Sequence, residues 1–439
     1  MKTKTPLTLF WMRRDLRLDD NVGLFYALKE NEHVLPLFIF DTSILSSLKP
    51  TDSRISFIFK IISELKIELQ KMGSDLLVFF GEPREIFKKI LSTENIKNLY
   101  FNEDYEPAAR HRDSEILKLF KDLKSPVKSY KDHLIFAKDE ILTDSRNPYL
   151  VFTPYKNKWL KQLQSSQLQE HKTEDFYSSL YKVNSPQKML ELQDLGFVKS
   201  AIEVPPPQWE GLQRYDQLRD IPFENGTSLV GPHLRFGTLS IRKMVQLARQ
   251  KNTTWLSELI WREFFSQVLW HHPRVATESF RVEFERVEWR KDLKEFELWK
   301  QGLTGFPIVD AGMRELKNTG HMHNRVRMIT ANFLTKHLLM PWQWGEKYFA
   351  EHLLDFELAS NNGNWQWCAG TGCDAAPYFR IFNPILQTRK FDPKMEYIQK
   401  WIPEYSTFGY PEPILDLDTA RKRALIAFAK VKQQMGSNI

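Results

Sequence analysis

The sequence predicts an N-terminal α/β domain with a doubly wound, Rossmann-like parallel sheet, followed by an all-helical C-terminal domain. Two observations lead to this fold class. Short β-forming runs alternate with helical periodicities over the first 130 residues, whereas strand signals nearly vanish after residue 204. We therefore expect an α/β domain at 1–130, an interdomain linker at 131–204 and a helical domain at 205–439.

Four runs rich in β-forming residues are the predicted strands: Leu7–Met12, Val34–Phe40, Asp75–Phe80 and Asn98–Asn102. Between them, Ser53–Met72 has apolar residues at helical spacing, a second helix opens at Pro83, and a third runs from Pro107 to about Leu123. A parallel sheet often binds a ligand at its strand ends. The turn Arg13–Arg17 after the first strand has no glycine-rich phosphate loop, so we interpret it as a solvated or interdomain salt-bridge loop.

The stretch at 131–204 is polar and leads into three consecutive prolines, which enforce an extended backbone. After it, Ser240–Gln250, Thr253–His271 and His323–Met340 have helical periodicity. The Asn-Asn-Gly run at Asn361–Gly363 predicts a break or bend in a helix.

Composition excludes several classes of protein. Lys and Arg number 62 against 55 acidic residues, a net charge of +7 that permits binding of a polyanion without requiring it. Two cysteines cannot form a disulfide framework and fall short of a four-ligand zinc site, so we expect a reducing compartment and no metal. The chain shows no apolar run of roughly 20 residues and no signal peptide at its start, and we expect a cytoplasmic protein.

The predicted helix Trp255–Trp270 carries an unusual mixture on one face. Glu258, Trp261, Arg262 and Phe265 follow the i, i+3, i+4, i+7 spacing of a helical stripe. The mixture fits the wall of a cavity that stacks on flat rings and hydrogen-bonds their edges. It equally fits an amphipathic helix in which Glu258 and Arg262 form an i,i+4 ion pair.

Two arginines on the predicted helix after residue 323 need anionic partners. Arg325 and Arg327 point to different faces, and an arginine on an apolar helix requires a carboxylate or another anion. Asp355 or Glu357 can supply that carboxylate. Alternatively, one arginine neutralises an internal acid and the other faces a phosphate.

Two further segments have alternative interpretations. The amide of Asn361 can reach a ring nitrogen, or the segment is a capped loop packed by Trp365 and Trp367. The Gly-, Ser- and Thr-rich stretch 226–240 ends with Ser240 at a helix-capping position, and such loops can hold a pyrophosphate. Many ordinary helix starts look similar.

Taken in this order, these segments resemble the photolyase/cryptochrome flavoprotein family over nearly the whole chain. The motifs that carry the resemblance are Trp11–Arg17, Val151–Tyr155, Thr304–Met313, Phe382–Pro384 and Phe391–Pro393. The resemblance implies an α/β domain, a long linker and a helical domain that holds a U-folded FAD.

The resemblance also implies roles for individual residues. The implied FAD shell consists of Tyr215, Thr227, Ser228, Leu229, Val230, Gly231, Trp255, Glu258, Arg262, Phe265, Asn324, Arg327, Asp355, Glu357 and Asn361. Within it, Asn361 would face flavin N5 and Asp355 would pair with Arg327. Electrons would pass between flavin and surface along Trp365, Trp342 and Trp289, since indole is readily oxidised. The chain departs from the family pattern at Leu229, Gly231, His321 and Glu357.

Within the family, the chain looks most similar to class I photolyases of cyclobutane pyrimidine dimers. Trp261 and Trp367 would clasp a flipped-out dimer, Arg325 and Met328 would contact it at the pocket mouth, and Glu258 would bind a thymine edge. The implied activity is light-driven repair of these dimers by electron transfer from excited FADH⁻. A cryptochrome-type blue-light photoreceptor and a (6-4) photolyase are the alternatives.

The implied partner is UV-damaged DNA, double- or single-stranded. We expect a monomer that does not bind membranes, in a prokaryotic cytoplasm and associated with the nucleoid when it is on DNA. A second, antenna chromophore can be a folate, a deazaflavin or a flavin, or be absent. Asp104–Arg112 does not match the expected folate-binding pattern, so its identity stays open.

Overall fold

The computed structural model describes residues 5–122, 125–407 and 409–436. The chain forms two compact units, each assembled from three stretches of sequence. The first unit comprises the chain up to Ala137, Gln162–Pro207 and Val230–Gln250. The second comprises Lys138–Lys161, Gln208–Leu229 and the chain from Lys251 onward.

The first unit is built on one parallel sheet of five strands in the order β3-β2-β1-β4-β5. The strands are β1 Leu7–Met12, β2 Val34–Asp41, β3 Leu77–Gly81, β4 Ile96–Asn102 and β5 Val127–Tyr130. Every residue of β1 and β2 is buried, as expected for central strands covered on both faces. This confirms the doubly wound sheet and its four predicted strands. The short edge strand β5 escaped prediction because half of it is exposed and polar.

Eighteen α-helices lie within the described residues. In chain order they are α1 Val22–Glu30, α2 Thr42–Leu45, α3 Ser53–Lys71, α4 Pro83–Thr93, α5 Pro107–Asp122, α6 Phe152–Gln162, α7 Tyr215–Leu218, α8 Gly231–Phe236, α9 Ile241–Lys251, α10 Thr253–His271, α11 Leu293–Gln301, α12 Pro307–Thr319, α13 Asn324–Asn332, α14 Trp342–His352, α15 Leu358–Ala369, α16 Pro384–Phe391, α17 Glu396–Trp401 and α18 Leu417–Gly436. The predicted helices α3, α4, α5, α9 and α10 are confirmed to within one or two residues. Leu123, the predicted end of α5, lies outside the described residues.

No helix in the described part of the chain combines the length and the apolar character that crossing a bilayer requires.

The turn after β1 is a buried network of hydrogen bonds and ion pairs. Arg17 Nη2 donates to Asp132 Oδ2 at 2.7 Å within the first unit. Asn102, at the end of β4, donates through Nδ2 to Asp15 Oδ2 at 2.6 Å. This bond lies between β1 and β4, where the strand order of the sheet reverses. The turn is a salt-bridge loop, as interpreted, but the expectation that it is solvated or interdomain is wrong, because Arg14, Asp15 and Arg17 are buried and the acidic partners lie in the same unit.

Stretch 131–204 is divided between the two units. Its part in the second unit contains α6, which is anchored by a hydrogen bond of 2.6 Å from Trp159 Nε1 to Glu263 Oε2 on α10. The part from Gln162 onward lies in the first unit and forms three 3₁₀ turns. The linker was expected to contain some local helix, and α6 is that helix.

The second unit is helical, as predicted, and its core is formed mainly by α12, α13, α14 and α15. The motif Thr304–Met313 has a structural explanation. Asp310 Oδ1 accepts hydrogen bonds from Thr304 N and Oγ1 at 2.8 and 2.6 Å, and Asp310 Oδ2 accepts one from Tyr410 OH at 2.7 Å. This carboxylate ties the start of α12 to the chain near residue 410.

Two predictions about helix continuity are wrong. The expected bend at Asn361–Gly363 is absent, and α15 runs through this segment. Gly363 lets the helix pack closely on α10, because a Cβ at this position would overlap the ring of Phe265. The single helix expected over 323–340 is interrupted, since α13 ends at Asn332 and a π-helical turn follows at Phe333–His337. That turn directs the side chain of Lys336 into the protein, where Nζ donates to Ala369 O at 2.6 Å.

Candidate functional site

Helix α10 supplies one wall of the candidate site, and its mixed face is the one predicted. Asn252 caps the helix through its side chain, and Leu256, Ile260 and Phe264 on the opposite face are buried. Trp255 is also buried, and its Nε1 donates to Ser228 Oγ at 3.2 Å.

The acid and the base of this face do not pair with each other. Arg262 Nη2 lies 2.9 Å from Glu357 Oε1, and Glu258 Oε1 lies 2.6 Å from Arg219 Nη1. The i,i+4 pair of Glu258 with Arg262 is therefore wrong, and the two side chains are held by groups from other segments. Burial raises the pKa of Glu258, and the Arg219 guanidinium offsets only part of that rise.

A second ion pair joins α13 to the segment before α15. Arg327 Nη1 and Nη2 lie 3.1 and 2.9 Å from the two oxygens of Asp355, a bidentate arrangement. Burial alone would raise the pKa of Asp355, but the Arg327 guanidinium outweighs it and holds the pKa below its ordinary value. The prediction that Asp355 supplies a carboxylate to an arginine of this helix is confirmed for Arg327. Glu357, the other acid considered, pairs instead with Arg262 on α10.

Asn361 has a partly buried carboxyl partner that the sequence analysis missed. Asn361 Nδ2 on α15 donates to Glu346 Oε1 at 2.7 Å and to Glu346 O at 3.1 Å, both on α14. Burial raises the pKa of Glu346 to about 7, and the hydrogen bond from Asn361 opposes that rise. Both amide hydrogens are thus used. Within the described residues no donor reaches Asn361 Oδ1, which leaves an acceptor for a ligand.

The three predicted redox tryptophans differ in burial. Trp365 on α15 and Trp342 at the start of α14 are buried, whereas Trp289 is only partly buried. Trp342 Nε1 donates to Ser279 Oγ at 3.4 Å, and Trp289 makes an edge contact with Phe428. Trp289, the last residue in the predicted order, is therefore the most exposed of the three.

The predicted lesion residues lie on α10, α13 and α15. Trp261 and Trp367 are partly buried. Arg325 Nη2 forms an ion pair of 2.7 Å with Asp220, and its Nη1 lies 3.7 Å from Met328 Sδ. Arg325 therefore has a protein carboxylate as its partner, whereas one of the alternatives considered for it was a phosphate.

The remaining predicted shell residues are divided between the two units. Tyr215 starts α7, and burial raises the pKa of its hydroxyl. Thr227, Ser228 and Leu229 belong to the second unit, and Leu229 adopts a left-handed backbone with φ of 52°. Asn324 is exposed at the first position of α13. Val230 and Gly231 belong to the first unit, where Gly231 begins α8.

The side chains present fit a flavin dinucleotide. Two arginines are already neutralised by carboxylates, Asn361 offers an acceptor beside the partly buried carboxyl of Glu346, and Trp255 provides an indole wall. Such a set matches the edge of a flat heterocycle that carries both N–H donors and carbonyl acceptors. Among the residues that the structure describes, no group of three or more His, Cys, Asp or Glu side chains is placed to hold a metal ion.

Sequence reasoning missed Arg219, Asp220 and Glu346 as partners of predicted residues. The first two lie outside any motif, so only the fold brings them to Glu258 and Arg325. A signal for Glu346 existed, because it lies four residues after Trp342 and therefore on the same face of α14.

Two known family models match this chain, one in each half of the sequence. A family described as DNA photolyase matches residues 8–174, and the FAD binding domain of DNA photolyase matches residues 255–409. Similar curated proteins include the deoxyribodipyrimidine photo-lyases of Synechococcus sp. and Escherichia coli. Each is 34% identical to this chain and covers 97% of it, over 96% and 99% of their own lengths.

Solved structures agree with the sequence relatives. A bacterial class III photolyase from Agrobacterium tumefaciens superimposes with a TM-score of 0.88 at 32% identity, covering 99% of both chains. An archaeal photolyase from Sulfolobus tokodaii with two FAD molecules gives 0.82 at 34% identity, over 96% of this chain and 99% of that one. A cryptochrome from Synechocystis sp. gives 0.86 at 25% identity, over 97% and 100%.

Proposed function

Because the chain belongs to the DNA photolyase family, we propose that it uses blue light to split cyclobutane pyrimidine dimers in UV-damaged DNA. The observation that carries the proposal is the composition of α15. This one helix holds Asn361, which offers an acceptor to a flavin ring, and Trp367, an aromatic group for the damaged bases. A rigid element that carries both groups can keep cofactor and substrate in register.

The chemistry that bound FAD supplies is the donation and recovery of one electron under light. The residues that would hold it are the predicted shell, with Arg262 and Arg327 kept in place by their carboxylate partners. Asn361 would accept a hydrogen bond from a protonated ring nitrogen, since its own amide hydrogens are used by Glu346. The pair therefore favours the state of the ring in which that nitrogen carries a proton.

Trp261 and Trp367 would stack on the extruded dimer, at about 1–3 kcal/mol per base. A dimer stacks poorly in the duplex, so extruding it costs less than extruding normal bases. Glu258 would hydrogen-bond a thymine edge, and the Arg219 guanidinium that bonds its Oε1 would hold the carboxylate in place. At the mouth of the pocket, Arg325 would bind a DNA phosphate as well as its ion-pair partner Asp220.

The three tryptophans would renew the reduced cofactor. Trp365 and Trp342 are shielded from water and Trp289 is only partly buried, so an electron could enter from solution and hop inward. Trp289, Trp342 and Trp365 would thus serve reduction of the cofactor and not the cleavage of the dimer itself.

The same proposal covers partners and location. We expect a cytoplasmic monomer that binds double- and single-stranded DNA with an affinity that falls as salt rises, because basic groups would release counterions from phosphates. Light scattering of the purified protein, alone and with DNA, checks the monomer. A second chromophore stays an open part of the proposal.

The direct test illuminates the reduced protein with UV-irradiated oligo(dT) and follows absorbance at the thymine band. Recovery of absorbance in the light, and not in a dark control, supports repair. No recovery with a protein that binds FAD and is photoreduced would refute repair and favour the photoreceptor alternative. Undamaged oligo(dT) is the matched substrate control.

A further inference from the structure

The first turn of α6 contacts the wall that carries Trp261. The ring of Phe152, the first residue of the helix, lies parallel to the Trp261 indole, with ring centroids 3.6 Å apart and planes inclined by 7°. Phe152 is buried, and Phe264 on α10 makes an edge contact with it. One face of Trp261 is therefore covered by the protein itself, so the orientation of the indole depends on Phe152.

The same residue is bonded to the segment that follows the other tryptophan. The backbone N–H of Phe152 donates to Asp374 Oδ2 at 2.9 Å. Asp374 lies seven residues after Trp367, in the loop that leaves α15, and both line one cavity together with Phe265. A carboxylate is favourable here because the first N–H groups of a helix have no partner within it.

Helix α6 is itself firmly anchored on α10. Trp159 is buried and bonded to Glu263, and the buried Tyr155 ring lies 5.4 Å from Phe264. These contacts lie one and two turns beyond Phe152. A change at Phe152 therefore leaves the rest of α6 attached to the second unit and affects mainly the contacts at its first turn.

We propose that Phe152 and Asp374 are positioning residues that fix the separation of Trp261 and Trp367 and so set selectivity for the dimer over undamaged bases. The inference rests on the proposed function. The connection runs from the Trp261 indole through Phe152 to Asp374 and from there to α15. When it is broken, the two rings lose their fixed spacing, and binding of the dimer must first restore it.

The experiment compares Phe152→Leu, Phe152→Tyr and Asp374→Ala in the full-length, FAD-loaded protein. Each is titrated with an oligonucleotide that carries one thymine dimer and with the undamaged oligonucleotide. We expect Phe152→Leu and Asp374→Ala to lose roughly three- to tenfold in affinity for the dimer alone, and Phe152→Tyr to restore it. The double variant should lose little more than either single one, because both act through one connection.

Two controls separate positioning from general damage. Leu160→Ala changes an exposed residue of α6 and should leave dimer affinity unaltered. Photoreduction of FAD should be the same in all variants, since neither residue belongs to the tryptophan chain. Equal losses for damaged and undamaged DNA, or unchanged dimer affinity in Phe152→Leu and Asp374→Ala, would overturn the inference while leaving repair intact. A wild-type protein that neither binds nor repairs the dimer overturns the proposed function as well.

Discussion

Glu346 offers the sharpest test of the site, because its partly buried carboxyl lies beside Asn361 with no cation bonded to it among the described residues. Its pKa rises from an ordinary 4.5 to about 7. Between these values the folded protein holds a proton that the unfolded chain releases. The free energy of unfolding must therefore fall as pH rises from 4.5 to 7. A rise of about 2.5 units corresponds to about 3.4 kcal/mol in total.

The perturbation is Glu346→Gln, which keeps an acceptor for the Asn361 amide but cannot titrate. Urea unfolding of wild type and variant at pH 5, 6, 7 and 8 gives the difference between their unfolding free energies, in which other groups cancel. We expect wild type to lose about 2.5 kcal/mol relative to the variant over this range, since part of the total is already lost at pH 5. Glu351→Gln, which removes an exposed carboxylate on the same helix, is the matched control measured alongside. A flat difference for Glu346→Gln would refute the reasoning.

Four further predictions concern separate features of the second unit. Trp365→Phe should block photoreduction of oxidised FAD yet spare repair by pre-reduced protein; surviving photoreduction would remove Trp365 from the chain. Trp261→Ala should weaken dimer binding by about 1–3 kcal/mol in a titration, and unchanged binding would exclude it from the site. Gly345→Ala should lower the free energy of unfolding by about 1–3 kcal/mol, because a Cβ would overlap Trp365; an unchanged urea midpoint would contradict this. Burial lowers the pKa of Lys336 to about 7, so stability should rise with pH from 7 to 10.5, and Lys336→Met should abolish that slope in urea unfolding.

Much of the fold was accessible from the sequence because its signals are local. The central strands are continuous apolar runs, and α3 and α10 have clear helical periodicity, so element type follows from pattern alone. Errors arose where tertiary packing overrides a local preference. The Asn-Asn-Gly run favours a bend, yet the packing of Gly363 on Phe265 keeps α15 helical.

The candidate site was predicted less completely, for a related reason. Motif residues such as Arg327 and Asp355 were predicted as a pair and are one. Their electrostatic environment depends on residues distant in sequence, and Arg219 reaches Glu258 across 39 positions. No periodicity links such residues, so composition predicts that Glu258 needs a partner but cannot say which arginine provides it.

Helix α15 carries residues proposed for both the flavin and the lesion, so the two proposed functions share one rigid element. Asn361 and Trp365 are one turn apart, and both face α14, where Glu346 and Gly345 are adjacent residues. A shift of α14 would therefore change the proton held beside Asn361 and the packing of the redox indole together. Gly363 fixes the same helix against α10, which carries the other lesion tryptophan. Glycines at these two close approaches let the three helices pack together, so we predict that a Cβ at either glycine disturbs the proposed roles of Asn361, Trp365 and Trp261 at once.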